Sequence, residues 1–134
     1  MTDAGSELVR ARATLVQAEL TGSTTERYLI AHRAAGQVAA VVLAARCRQG
    51  TRLGRRNVWR VLAEVAPELA EWAGFFLALQ GRCEVLRAGA SNLVSTREAD
   101  DLVREATTFH DQVARRLARP TRARAASPAR RAEA

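Results

Sequence analysis

Apolar residues recur at intervals of three and four along almost the whole chain, and no stretch alternates with the period of two that a half-buried strand requires. Ser6 reads as the N-cap of a first helix over about 6–20, with Leu8, Ala11, Leu15 and Ala18 on one face and Thr21-Gly22 ending it. Ser23 to Glu26 has the form of a capping box, in which the serine oxygen takes the third backbone N–H and the glutamate reaches back. The helix it opens runs to about Arg48. Between Tyr28 and Ala45 its only polar side chains are His32, Arg33 and Gln37. A helix that is apolar nearly all round must be covered on several sides, by its own bundle or by a second copy.

Gln49 to Asn57 holds two glycines and three arginines and reads as a loop. A short helix follows over about 58–65, with Trp59 as its core anchor, and Pro67 suits the first position of the next, since its missing N–H has no partner there in any case. That helix, about 67–88, carries Leu69, Trp72, Phe76, Leu79, Cys83 and Leu86 at spacings of three and four, which is a bundle seam. Gly74, Ala78 and Gly81 form a separate small-residue face suited to close helix approach. Ser95 to Glu98 repeats the capping box and opens a last helix over about 96–118, striped by Ala99, Leu102, Ala106, Phe109, Val113 and Leu117. The prediction is all-α: an antiparallel up-and-down helical bundle of four long helices plus one short one over residues 1–118, and a disordered tail over 119–134 where periodicity stops.

Composition changes this picture in one respect. All 21 basic residues are arginine, and the net charge of +7 is unevenly placed. Residues 115–134 hold seven arginines and one acid, and residues 46–60 hold six arginines and none, whereas residues 61–114 hold four arginines and nine acids. The molecule is therefore polarised, with an arginine loop, an arginine tail and an acidic helical half. The N-terminus lacks the apolar core of a signal peptide, and the longest apolar run, Val38 to Ala45, is too short to cross a bilayer by itself, so the expectation is a cytoplasmic protein without membrane contact. Cys47, Cys83, His32 and His110 lack the spacing of a zinc site; no metal or cofactor is expected, and both cysteines read as buried small hydrophobes.

Glu26-Arg27-Tyr28-Leu29-Ile30-Ala31-His32 resembles the long helix of HEPN (higher eukaryote and prokaryote nucleotide-binding) domains. Val65-Ala66-Pro67-Glu68-Leu69-Ala70-Glu71-Trp72 and Ser95-Thr96-Arg97-Glu98-Ala99-Asp100-Asp101-Leu102 resemble a small branch of that superfamily typical of high-GC bacteria. The likeness extends over roughly residues 8–118 and rests on packing and capping residues. It implies an up-and-down helical bundle that is usually dimeric; in this chain the apolar second helix or the Gly74/Gly81 face is the expected homodimer interface. Some members are ribonucleases and others are RNA- or protein-binding modules.

Catalytic members carry an arginine, four to six intervening residues and a histidine, which would stabilise phosphate charge and move protons respectively. Arg104 and His110 have that spacing in the last helix, and Arg27 and His32 form an alternative pair in the second. On a straight helix, at about 100° per residue, Arg104 and His110 point roughly 120° apart, so joint action requires a helix break or a second subunit. The leading expectation is a non-catalytic module that binds RNA or another nucleic acid, with Arg52, Arg55, Arg56, Arg115, Arg116, Arg119, Arg122 and Arg124 meeting phosphates. The alternatives are a metal-independent endoribonuclease and a protein-interaction adaptor whose acidic half, 61–114, docks a basic partner. Most acids are expected in i,i+4 pairs on solvated faces: Arg60–Glu64, Arg97–Asp101, Asp100–Arg104 and Asp111–Arg115.

Overall fold

The computed structural model describes the backbone of residues 3–47, 55–90 and 93–133, and side chains as far as Ala118. It contains α1 (Ala4–Leu20), α2 (Thr24–Arg46), α3 (Val58–Val65), a single 3-10 turn (Pro67–Leu69), α4 (Ala70–Arg87) and α5 (Thr96–Glu133), with no strand among the described residues. The assigned α5 is longer than the apolar stripe predicts. The expected tail, 119–134, lies outside the residues whose side chains are described.

Long-range contacts fix the directions of the helices. Thr24 and Thr96 open α2 and α5, and their hydroxyls meet at 3.3 Å, so these two run parallel. Trp72 meets Gln112 and Arg82 meets Glu98, which sets α4 antiparallel to α5; Leu8 meets His110 and Arg12 meets Asp111, which does the same for α1. The result is the expected up-and-down bundle, with α3 packed on α2 and α4.

Helix α2 packs against all the other helices, most extensively against α1 and α5. Those faces are built from alanine: Ala11, Ala18, Ala31, Ala34, Ala35, Ala99 and Ala106 are all fully buried. Small side chains let helix axes approach toward the lower end of the usual 8–10 Å range. On the other side a layer of rings fills the space, with Phe76 at 5.0 Å from Trp59, 5.9 Å from Trp72 and 5.3 Å from Phe109. Trp59 is thus a core anchor, 2% exposed. By length and mean hydropathy α2 is long and apolar enough to span a membrane, and 61% of that window is buried among the other helices. Most of its apolar surface is thus covered within the single chain, while Ala40, Ala44 and Ala45 stay exposed near its C-terminal end.

Several local features differ from expectation for clear reasons. Asp3, not Ser6, caps α1, because its carboxylate accepts the Ser6 N–H at 2.7 Å and so gains a further turn. That bond also holds the Asp3 carboxyl below its usual pKa. The Ser95 box is complete in both directions, at 3.1 and 2.9 Å. At Ser23 only the serine half forms, at 3.1 Å, and the Ser23 N–H turns to Thr21 Oγ1 instead. The seam of α4 buries Leu69, Phe76, Cys83 and Leu86, with Trp72 and Leu79 half-buried. Gly74, Ala78 and Gly81 are all exposed, and nothing lies within 4 Å of a Cβ built on either glycine. No described helix of this chain makes the close approach expected there.

Candidate functional site

The two histidines are the natural starting point for any acid–base chemistry. His110 is 7% exposed, and its Nε2 donates to the Leu8 carbonyl at 2.9 Å, pinning α5 to α1. Its Nδ1 lies 3.0 Å from Asp111 Oδ1, and Asp111 is also 3.8 Å from the Arg12 guanidinium. Arg104 is on another face of the same helix, exposed, with its guanidinium on Asp101. The structure does not bring Arg104 and His110 together, in keeping with their angular separation on an unbroken helix.

The pair Arg27 and His32 is separated in the same way. His32 is 6% exposed and faces α4, where its Nε2 donates to the Phe76 carbonyl at 2.9 Å, between the edges of the Trp59 and Phe76 rings. Burial is the main cause that holds its pKa below the ordinary 6.5. Arg27 faces the opposite side. It donates to Asp100 Oδ1 at 2.6 Å, to the Thr21 carbonyl at 2.9 Å and to the Ala18 carbonyl at 3.3 Å. It therefore satisfies the open carbonyls at the C-terminus of α1 while joining α1, α2 and α5. Its signal in the sequence is an arginine just inside one helix and an acid just inside another.

Of the arginines expected to meet phosphates, Arg55, Arg56, Arg115 and Arg116 are exposed. Arg56 is engaged with Glu64. Arg52 lies outside the described residues, as do the side chains of Arg119, Arg122 and Arg124. Arg46, at the end of α2, pairs with Glu68, and the positive charge of Arg116 also acts on that carboxylate; Arg46 is the main cause holding it below its usual pKa.

None of the four expected i,i+4 ion pairs is among those of the described residues. The acids are instead used mostly between elements, in Arg27–Asp100, Arg46–Glu68, Arg82–Glu98 and Arg56–Glu64. Neighbouring helices present partners that spacing along a single helix does not reveal. Both cysteines are free; Cys83 is buried, which pushes its thiol pKa up, and Cys47 is half-buried. Among the described residues no group of three or more histidine, cysteine, aspartate or glutamate side chains is placed to hold a metal ion.

A family model described as SAV_6107-like HEPN matches residues 18–114, from the end of α1 to the described part of α5. No curated protein and no solved structure matches the chain.

Proposed function

The chain belongs to the SAV_6107-like HEPN family, and from that premise we propose that it is a non-catalytic HEPN module that binds RNA or another nucleic acid through its arginines. The observation that carries the non-catalytic reading is the commitment of both histidines. His32 and His110 each spend Nε2 on a backbone carbonyl inside the core, and their candidate arginine partners, Arg27 and Arg104, face elsewhere. A general base must reach the proton it removes, and these rings face other helices.

Nucleic-acid binding is supported by the exposed guanidiniums of Arg55, Arg115 and Arg116, together with the arginine content of the loop and tail. A labelled single-stranded RNA is expected to be retained by the full-length protein at about 50 mM salt, with affinity falling steeply as salt rises. Truncation after Leu117 removes five arginines. It is expected to flatten the log–log salt slope by roughly 0.7 for each phosphate that is no longer neutralised. Absence of retention at low salt overturns the reading.

The same reading includes a homodimer. Its interface is best supplied by α1, where Val9, Ala13, Val16 and Leu20 follow one another at spacings of four, three and four. Val9, Val16 and Leu20 are 70%, 45% and 80% exposed. These positions have the spacing of a coiled-coil seam, flanked by Arg12 and Glu19, which fall opposite each other when two such helices pair antiparallel.

A further inference from the structure

Between α4 and α5, two surface hollows of about 660 and 540 Å³ share Phe75 and Glu105. They form one groove. It spans α5 from Glu98 to Gln112, about 21 Å of helix. The groove exists because the aromatic layer of Trp72, Phe76 and Phe109 holds α4 off α5, while the alanine faces draw α1, α2 and α5 together.

Its floor is apolar: Trp72 and Leu79 are half-buried and Phe75 is 38% exposed. Its walls carry five carboxylates, and only two guanidiniums line it, Arg82 and Arg104. Both are already engaged, one with Glu98 and the other with Asp101, and Glu68 is engaged with Arg46. Glu71 and Glu105, along the middle of the groove, are in no ion pair among the described residues. An occupant must therefore bring cations to these two acids and apolar side chains to Phe75 and Leu79. A nucleic acid would set its phosphates against the carboxylates and is the wrong charge for this side of the molecule.

We propose that the groove between α4 and α5 docks an arginine- or lysine-rich amphipathic helix of a partner protein. The helix lays its apolar face on Phe75 and Leu79 and directs basic side chains to Glu71 and Glu105. A segment of about 14 residues matches the length of the groove. None of the arginines assigned to nucleic acid lines the groove, although the charge of Arg116 reaches Glu68 at one end of it; truncation after Leu117 and charge reversal at Glu71 and Glu105 therefore test the two sites by separate variants.

The test uses the full-length chain and a fluorescein-labelled helical peptide of about 14 residues, built of leucine, alanine and arginine with the arginines on one face. Fluorescence anisotropy is expected to show saturable binding that the double variant Glu71→Arg/Glu105→Arg weakens at least tenfold. Replacing the peptide's arginines by glutamine has an equal effect, and Glu84→Arg, on an exposed position of α4 outside the groove, changes affinity less than twofold. Unlabelled peptide is also expected to shift tryptophan emission in the wild type and not in Trp72→Phe. Circular dichroism checks that each variant folds, and Glu71→Gln/Glu105→Gln, expected to weaken binding at least threefold, serves if charge reversal does not. Equal affinity in wild type and the charge variants overturns the proposal, as does binding that leaves Trp72 emission unchanged. So does a short RNA that displaces the peptide and itself binds the charge-reversed variant more weakly.

Discussion

The residues with the greatest chemical potential in this chain are held by backbone. A histidine whose Nε2 faces a carbonyl must carry its proton there, so His32 is fixed as a neutral donor in a nonpolar layer. Burial lowers its pKa, which gives a definite sign to the effect of pH. Above about 6.5, the ordinary value, folded and unfolded chains both hold this ring neutral and stability is complete. As pH falls through that value, the unfolded chain takes up the proton first, and stability is lost down to the lowered pKa of the folded state. The urea midpoint is therefore expected to decline as pH falls below 6.5, and His32→Gln, which keeps a donor for the Phe76 carbonyl, is expected to flatten that decline. An unchanged slope in the variant would remove His32 as its source. The sequence shows His32 in a helix that is apolar nearly all round, and a lodging between helices is already its plainest reading. What it cannot show is which carbonyl each ring finds, since Phe76 and Leu8 are 44 and 102 residues away.

At the level of single elements, local chemistry is legible where it is complete within a few residues. The bounds of α3, Val58–Val65, and the opening of α5 by Ser95 and Glu98 follow from side chains at fixed short spacing. The start of α1 does not, because Asp3 and Ser6 are both good caps and the choice turns on which N–H the carboxylate reaches. The two capping boxes also differ in a measurable way. Ser95→Ala removes an oxygen from a reciprocal pair and is expected to cost about 1 kcal/mol in urea unfolding. Ser23→Ala removes a single bond at the start of a helix already held by the Arg27 clamp, so its cost is expected to be the smaller of the two. The reverse order would mean that the Arg27 clamp does not hold the start of α2.

For the molecule as a whole, the sequence conveys the class and order of helices through periodicity alone, whereas the ion pairs and the groove depend on which faces meet. Glu71 and Glu105 are unremarkable surface acids 34 positions apart until α4 and α5 lie side by side. The polarity of charge, by contrast, is visible from the start, and the structure gives it a place: the acidic side is the α4–α5 groove. The outward stripe of α1 yields the remaining expectation. Val9→Glu/Val16→Glu is expected to convert a dimer to a monomer in analytical ultracentrifugation without loss of helicity, because both side chains are exposed in the single chain. A wild type that sediments as a monomer at about 100 μM, a concentration at which even a micromolar dimer is populated, removes α1 as the interface. So does a variant that stays dimeric.

The central position of α2 also has a consequence for synthesis. Its apolar surface is covered on one side by α1, which precedes it, and on the others by α3, α4 and α5, which follow. A ribosome therefore releases a 23-residue segment with the hydropathy of a membrane span well before the helices that shield it exist. Until Phe109 and Val113 have emerged, the face of α2 that α5 will cover stays open, and the order of the elements makes delay in α5 the step at which chaperone capture or aggregation competes with folding.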